Sequence, residues 1–197
     1  MLPSNTFSSS LASRTKTLIF IISILAVCGT VIELVGGVWD ATSHLMHEPE
    51  LFWTIQHVTV YSGVGMVSCS AILASFVIIA NSKNRTLGKG LKVIIIGTVL
   101  QLAGGYADSI SHDIYGIDGL VSASHLVLEI GLALSALGGF MTLCLVDKQK
   151  TKKIIPVAIM TVLLSIAWIG FNLTLLFGSV VLCIPVYEIF SSGCAVL

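Results

Sequence analysis

The sequence predicts an all-α integral membrane protein of about five transmembrane helices, and three observations support this. First, 55% of the 197 residues are hydrophobic, only 10% are charged and the mean hydropathy is +1.00, a composition far too apolar for a water-soluble domain. Second, the apolar residues gather into five stretches of roughly 20 residues or more, enough to cross about 30 Å of hydrocarbon. Third, every Lys and Arg lies between these stretches or at their ends.

The first apolar stretch, 18–39, follows Arg14 and Lys16 and therefore has the charge pattern of a signal peptide. It continues into acidic and histidine residues, and no small-residue cleavage site follows it, so we expect it to remain a helix. The other stretches cover 57–80, 91–110, 120–145 and 154–184. Together they predict a single membrane domain over 1–197.

The basic residues also predict the orientation of these helices. They lie before the first stretch, between the second and third, and between the fourth and fifth, whereas the hairpins 44–51 and 113–119 contain no Lys or Arg. Because basic residues stay on the cytoplasmic side of short loops, we expect a cytoplasmic N-terminus, with both hairpins and the C-terminus outside. The same distribution leaves no basic groove for nucleic acid, so the predicted environment is the lipid bilayer.

An internal repeat appears when the sequence is shifted by 68 positions. The shift aligns Gly36, Gly37, Asp40, His44, His57 and Gly63 with Gly104, Gly105, Asp108, His112, His125 and Gly131. We interpret this as a duplicated helical hairpin, with repeat 1 at about 18–80, repeat 2 at about 86–148 and a fifth helix at about 154–184. Both copies start on the same side, so the repeats are parallel and predict a four-helix bundle with the fifth helix outside it. The glycine pairs suit close helix packing in lipid.

Each repeat carries the spacing Asp-(x)3-His-(x)12-His. An Asp and a His four residues apart lie on one face of a helix, and the short hairpin returns the second His to a similar depth. One carboxylate and two imidazoles suit copper, zinc or iron and leave a coordination position open. The predicted metal ligands are Asp40, His44 and His57 in the first repeat and Asp108, His112 and His125 in the second.

Two acidic residues near these motifs are candidates for a supporting role. Glu33 lies seven residues before Asp40 and aligns with the neutral Gln101, and Glu129 lies one turn after His125 and aligns with Tyr61. Glu129 is a candidate fourth ligand or a partner that orients the His125 ring. Another interpretation of the two Asp/His/His clusters is a structural polar network or a proton-transfer chain. Polar groups within a membrane are costly and are by default functional, which favours metal binding.

The repeated motif resembles the C subunit of the copper membrane monooxygenases, which oxidise ammonia or methane. That family carries an Asp, a His four residues later and a second His thirteen after that, and there the three residues bind copper. The resemblance covers about 33–61 and again 101–129, with Phe52 and Trp53 adding mild similarity. The family has one copy of the motif rather than two, and it works in a complex with A and B subunits. The soluble copper domain of those A and B subunits has no counterpart in this sequence.

From the motif and the resemblance, we expect a membrane metal-binding protein, with copper as the first candidate. The resemblance implies a monooxygenase-like oxidoreductase, or a component that helps one, with other monooxygenase-type subunits or a second copy of the chain as partners. Whether it is itself an enzyme stays open, since function does not follow from such analogy. Two alternatives are a metal-ion transporter or delivery protein, and a membrane cytochrome in which histidines from different helices bind haem.

Overall fold

The computed structural model describes residues 4–46, 53–80, 85–115, 122–146 and 148–180. These ranges form helices and contain no strand. In chain order the helices are α1 (Ser4–Leu45), α2 (Ile55–Ala80), α3 (Arg85–Tyr115), α4 (Ala123–Leu143), α5 (Lys148–Thr151) and α6 (Ile155–Val180).

The five long helices are apolar and long enough to cross a membrane. The spanning segments are Arg14–Ser43, Ile55–Ala80, Gly88–Ile110, Ala123–Leu143 and Ile155–Leu175. Large apolar side chains such as Ile72, Phe76 and Leu163 are exposed on the outside of the helices, where lipid rather than water is the favourable neighbour. The protein is an integral membrane protein, and the predicted fold class is confirmed.

The helices differ from the apolar stretches mainly at their ends. Helix α1 begins at Ser4 rather than near 18, and α3 extends beyond 91–110 in both directions, to Arg85 and Tyr115. Hydropathy marks where the hydrocarbon begins, and a helix continues past that boundary as long as its backbone hydrogen bonds are kept. The four-residue helix α5 was not predicted. Residues 181–184 of the predicted fifth helix lie outside the described residues.

The first four long helices form a closed ring around a common core. Helix α1 packs against α2, α2 against α3, α3 against α4, and α4 back against α1. Helix α6 lies outside this ring, in the groove between α4 and α1. At one end of that groove Ala158 packs with Val27 and Leu143, and further along Trp168 packs against Ala41. The four-helix bundle with a fifth helix outside it therefore agrees with the prediction.

Close glycine contacts hold each hairpin together in the same register. A Cβ added to Gly63 would lie 2.6 Å from the carbonyl oxygen of Gly29, and one added to Gly131 would lie 2.6 Å from that of Gly97. The two crossings are separated by the same 68 residues as the sequence repeat. Without a hydrophobic drive between helices in lipid, such backbone contact supplies the packing energy. The duplication is thus visible in the packing as well as in the sequence.

The paired glycines of each motif do not contribute equally to this packing. A Cβ at Gly36 would lie 2.8 Å from the backbone nitrogen of Val60, and one at Gly104 would lie 2.7 Å from that of Leu128. Among the described residues, no atom lies within 4 Å of a Cβ placed at the neighbouring Gly37. Only the first glycine of each pair is needed for close approach at the end of the hairpin that carries the Asp and His residues.

Candidate metal centre

The first Asp/His pair joins α1 to α2 near the end of their hairpin. Asp40 lies in the last turns of α1 and is buried, and His57 is the third residue of α2. The His57 Nε2 atom lies 3.0 Å from Asp40 Oδ1. The close packing of Gly36 against the start of α2 brings the two helices near enough for this contact. The fold therefore brings together two of the three predicted ligands of the first repeat.

The second pair has the same construction on α3 and α4. Asp108 lies near the end of α3, and His125 is the third residue of α4. His125 Nε2 lies 3.6 Å from Asp108 Oδ1, and both side chains are largely buried, with exposures of 20% and 15%. The sequence repeat is thus also a repeat of side-chain geometry.

A hydroxyl group orients each histidine ring from its other nitrogen. Thr54 Oγ1 lies 3.1 Å from His57 Nδ1, and Ser122 Oγ lies 2.7 Å from His125 Nδ1. Each hydroxyl residue precedes its histidine by three positions, and Ser122 is the N-cap of α4. Sequence reasoning missed both residues because a Thr and a Ser are not identical. They nevertheless align at the same shift of 68 and are chemically equivalent.

In the second hairpin the hydroxyls form a chain that fixes the positions of the hydrogens. Ser124 Oγ donates to Asp108 Oδ1 at 2.9 Å, and Ser122 Oγ lies 2.8 Å from Ser124 Oγ. Because Ser124 has one hydrogen and gives it to the carboxylate, Ser122 must donate to Ser124. Ser122 then accepts hydrogen bonds from both the backbone N–H and the Nδ1–H of His125. A neutral His125 with this tautomer presents the lone pair of Nε2 to Asp108.

The first hairpin lacks this serine chain and has aromatic neighbours instead. Ser124 aligns with the buried Gln56. The Tyr61 ring stacks on the His57 ring, with centroids 6.2 Å apart, and meets Trp53 edge to face. The Tyr61 phenol also lies within electrostatic range of both Asp40 and Asp108, which places the two clusters beside each other at one end of the bundle.

The remaining predicted ligands are His44 and His112. Their backbones lie on α1 and α3, one turn after the respective aspartate, so each starts from the same helix face as its aspartate. Their side chains lie outside the part of the structure that is described. Among the side chains that are described, no group of three His, Cys, Asp or Glu residues is close enough to hold a metal. The described geometry therefore contains two ligand atoms per cluster.

The spacing of these two atoms can be compared with that of a metal centre. Ligand atoms about 2.0–2.2 Å from a tetrahedral ion are separated from each other by roughly 3.3 Å. The Nε2–Oδ1 separations of 3.0 Å and 3.6 Å lie on either side of this value. Imidazole nitrogen and carboxylate oxygen are also ligands that copper, zinc and iron accept. The two pairs thus fit one edge of such a centre.

The two acidic candidates, Glu33 and Glu129, have neighbours of other kinds. Glu129 is buried on α4, and its Oε1 accepts a hydrogen bond from the side-chain amide of Asn172 on α6. Glu33 is buried against Gly63 of α2, and neither of its oxygens has a hydrogen-bond partner among the described residues. Their roles beside a metal stay predictions.

Comparison with protein-family models, with curated proteins and with solved structures finds no match to this chain.

Proposed function

We propose that this chain is a membrane metal-binding protein, which holds copper as its first candidate metal at Asp40, His44 and His57 and at Asp108, His112 and His125. The observation that carries the proposal is the hydroxyl chain Ser122–Ser124–Asp108. It leaves His125 Nε2 facing Asp108 Oδ1 at 3.6 Å in a largely buried place, so that in the neutral ring a nitrogen lone pair and a carboxylate oxygen face each other. A cation held between these two atoms would offset their repulsion.

The protein's own residues would perform most of the work of such a site. Ser122 accepts a hydrogen bond from Nδ1 of His125, and Thr54 forms a hydrogen bond with Nδ1 of His57, so that Nε2 is the nitrogen of each ring that would be available as a ligand. Asp40 and Asp108 supply the charge that balances the cation in a medium of low polarity. A bound copper ion would supply redox chemistry and an open coordination position for a small molecule.

The proposal also includes the orientation of the chain in the membrane and its relationship to a known family. The distribution of Lys and Arg supports a cytoplasmic N-terminus, which places both clusters towards the outer face. The motif supports a distant relationship to the C subunit of the ammonia and methane monooxygenases. On that basis, the chain would act as a component that oxidises, or helps to oxidise, a small substrate, with related subunits or a second copy as partners.

Metal analysis of the purified protein tests this proposal. The wild-type chain, produced in medium replete with copper and zinc and purified in detergent without chelator, should contain stoichiometric transition metal. The variant His57→Ala should lose the metal of the first cluster and keep that of the second, and His125→Ala should do the converse. The matched control is His47→Ala, because His47 aligns with Tyr115 and belongs to neither motif.

Three other results would each lead to a different conclusion. If either variant empties both positions, the six residues share one centre between the two hairpins. A Soret band in the absorption spectrum would support haem and exclude the copper assignment. A wild-type protein that contains no stoichiometric metal would reject metal binding, and with it the resemblance to the monooxygenases. In that case His125 and Asp108 form an ordinary ion pair around a proton.

A further inference from the structure

Glu33 is the most isolated carboxyl group among the described residues. It lies within the first membrane-spanning segment, is only 2% exposed, and faces the close crossing of α1 and α2. Gly63 provides the space it occupies, since a Cβ at Gly63 would lie 2.6 Å from Glu33 Cγ. Neither Oε1 nor Oε2 has a hydrogen-bond partner among the described residues.

The second hairpin shows that packing does not require a carboxyl group here. Gln101 occupies the equivalent position, is equally buried, and packs against Gly131 as Glu33 packs against Gly63. Its amide donates to Ser135 Oγ at 3.2 Å. In the first hairpin the residue aligned with Ser135 is Val67, so the hydroxyl partner is absent there. The first hairpin therefore has an ionisable carboxyl group at this position, and it has a valine where the second hairpin has the serine that hydrogen-bonds to the side chain.

Nearby hydroxyl groups do not replace this partner. Thr30, one turn before Glu33, hydrogen-bonds through its hydroxyl to the carbonyl oxygens of Ala26 and Val27. Such bonds to the preceding turn are the usual way to satisfy a hydroxyl within a helix. An ionised carboxylate left without partners in the membrane is strongly disfavoured. This arrangement therefore favours the protonated, neutral form of Glu33.

We propose that Glu33 is a proton-binding site within the α1–α2 hairpin, a buried carboxyl group that holds a hydrogen ion and exchanges it with the surroundings. Buried carboxyl groups within membrane segments are characteristic of proton pathways, because protonation removes the charge that the membrane disfavours. The proposal does not depend on metal binding. Glu33 lies seven residues before Asp40, about 10 Å along the helix axis, and is not one of the proposed ligands.

Infrared spectroscopy of the purified protein tests whether Glu33 carries an exchangeable proton. We expect a carbonyl band of a protonated carboxylic acid that is missing from Glu33→Gln and that shifts when the wild type is transferred to D₂O. Glu33→Gln reproduces the residue found at position 101, so the second hairpin already shows that this side chain packs. Glu129→Gln is the matched control, since Glu129 is also buried but has Asn172 as a partner.

Chemical labelling gives a second measurement that needs no variant to assign the site. A hydrophobic carbodiimide adds the O–H of a protonated acid across one C=N bond, and the acyl group then migrates from oxygen to nitrogen to give a stable N-acylurea. We expect this product on the wild-type peptide that contains Glu33. A Glu33 band that is absent, or that does not shift in D₂O even after long exchange, would overturn the proposal. A missing band would mean that Glu33 is ionised. A band that does not shift would mean that its hydrogen does not exchange with water and that the acid has only a structural role.

Discussion

Thr54 and Ser122 occupy equivalent positions in the two hairpins, 68 residues apart, and each places a hydroxyl oxygen on Nδ1 of the histidine three residues later. The two distances, 3.1 Å and 2.7 Å, differ little although one residue is a threonine and the other a serine. In both hairpins the other ring nitrogen faces an aspartate. The hydroxyl therefore determines which nitrogen is available to a ligand.

Removing these hydroxyls should weaken metal binding without removing a ligand. Thr54→Val and Ser122→Ala remove the hydroxyl that forms a hydrogen bond with Nδ1, so the ring loses the contact that orients it. Loss of such an outer partner typically lowers metal affinity by about 10–100-fold. Competition with a chromophoric chelator would measure the affinity of each variant.

The control for this experiment is Thr59→Val. The Thr59 hydroxyl donates to the carbonyl oxygen of Ile55 on its own helix and, among the described residues, forms no hydrogen bond with a histidine. The metal affinity of the Thr59→Val variant should equal that of the wild type. Equal affinities for Thr54→Val, Ser122→Ala and the wild type would show that the hydroxyls act only as helix caps.

The glycine crossings predict a stability difference between two nearby positions on α2. Gly63→Ala should destabilise the bundle by roughly 1–3 kcal/mol, because the new Cβ would collide with the Gly29 carbonyl and with Glu33. Gly131→Ala should have a similar effect through the Gly97 carbonyl. Unfolding by a denaturing detergent in mixed micelles would measure both changes.

Gly65→Ala is the matched control on the same helix. In the described part of the chain no atom lies within 4 Å of a Cβ at this position, so alanine should be tolerated and should stabilise the helix by about 0.5–1 kcal/mol. If Gly63→Ala were as stable as Gly65→Ala, the backbones of α1 and α2 could not be in contact at this crossing.

The distribution of basic residues predicts the topology. In a cysteine-free background, Ser192→Cys should react with a membrane-impermeant thiol reagent added outside intact cells, and Lys150→Cys should react only after the cells are opened. The reason is that basic residues are retained on the cytoplasmic side. Labelling of position 150 but not of 192 from outside would reverse the orientation and move the clusters to the cytoplasmic face.

Much of the fold could be predicted from the sequence because a membrane span leaves a direct hydropathy signal. The ends of the helices could not, since the first turns of α1 from Ser4 are polar and carry no such signal. The pairing of Asp40 with His57 followed from their spacing and the repeat. The neighbours that differ between the two hairpins could not be predicted in this way. Asn172 of α6 reaches Glu129 only because α6 packs against α4, and helix periodicity does not predict that choice of neighbour.

The equivalent crossings at Gly29–Gly63 and Gly97–Gly131 carry an evolutionary implication. A hairpin with its own close packing and its own Asp/His pair is a complete unit, and two identical units inserted in the same direction would form the ring as a homodimer. In such an ancestor every substitution would appear twice, so Glu33 and Gln101 could not differ. A single chain that contains both hairpins is free of that constraint. Its two halves can therefore differ, with a neutral amide beside its serine partner in one and an acid in the other.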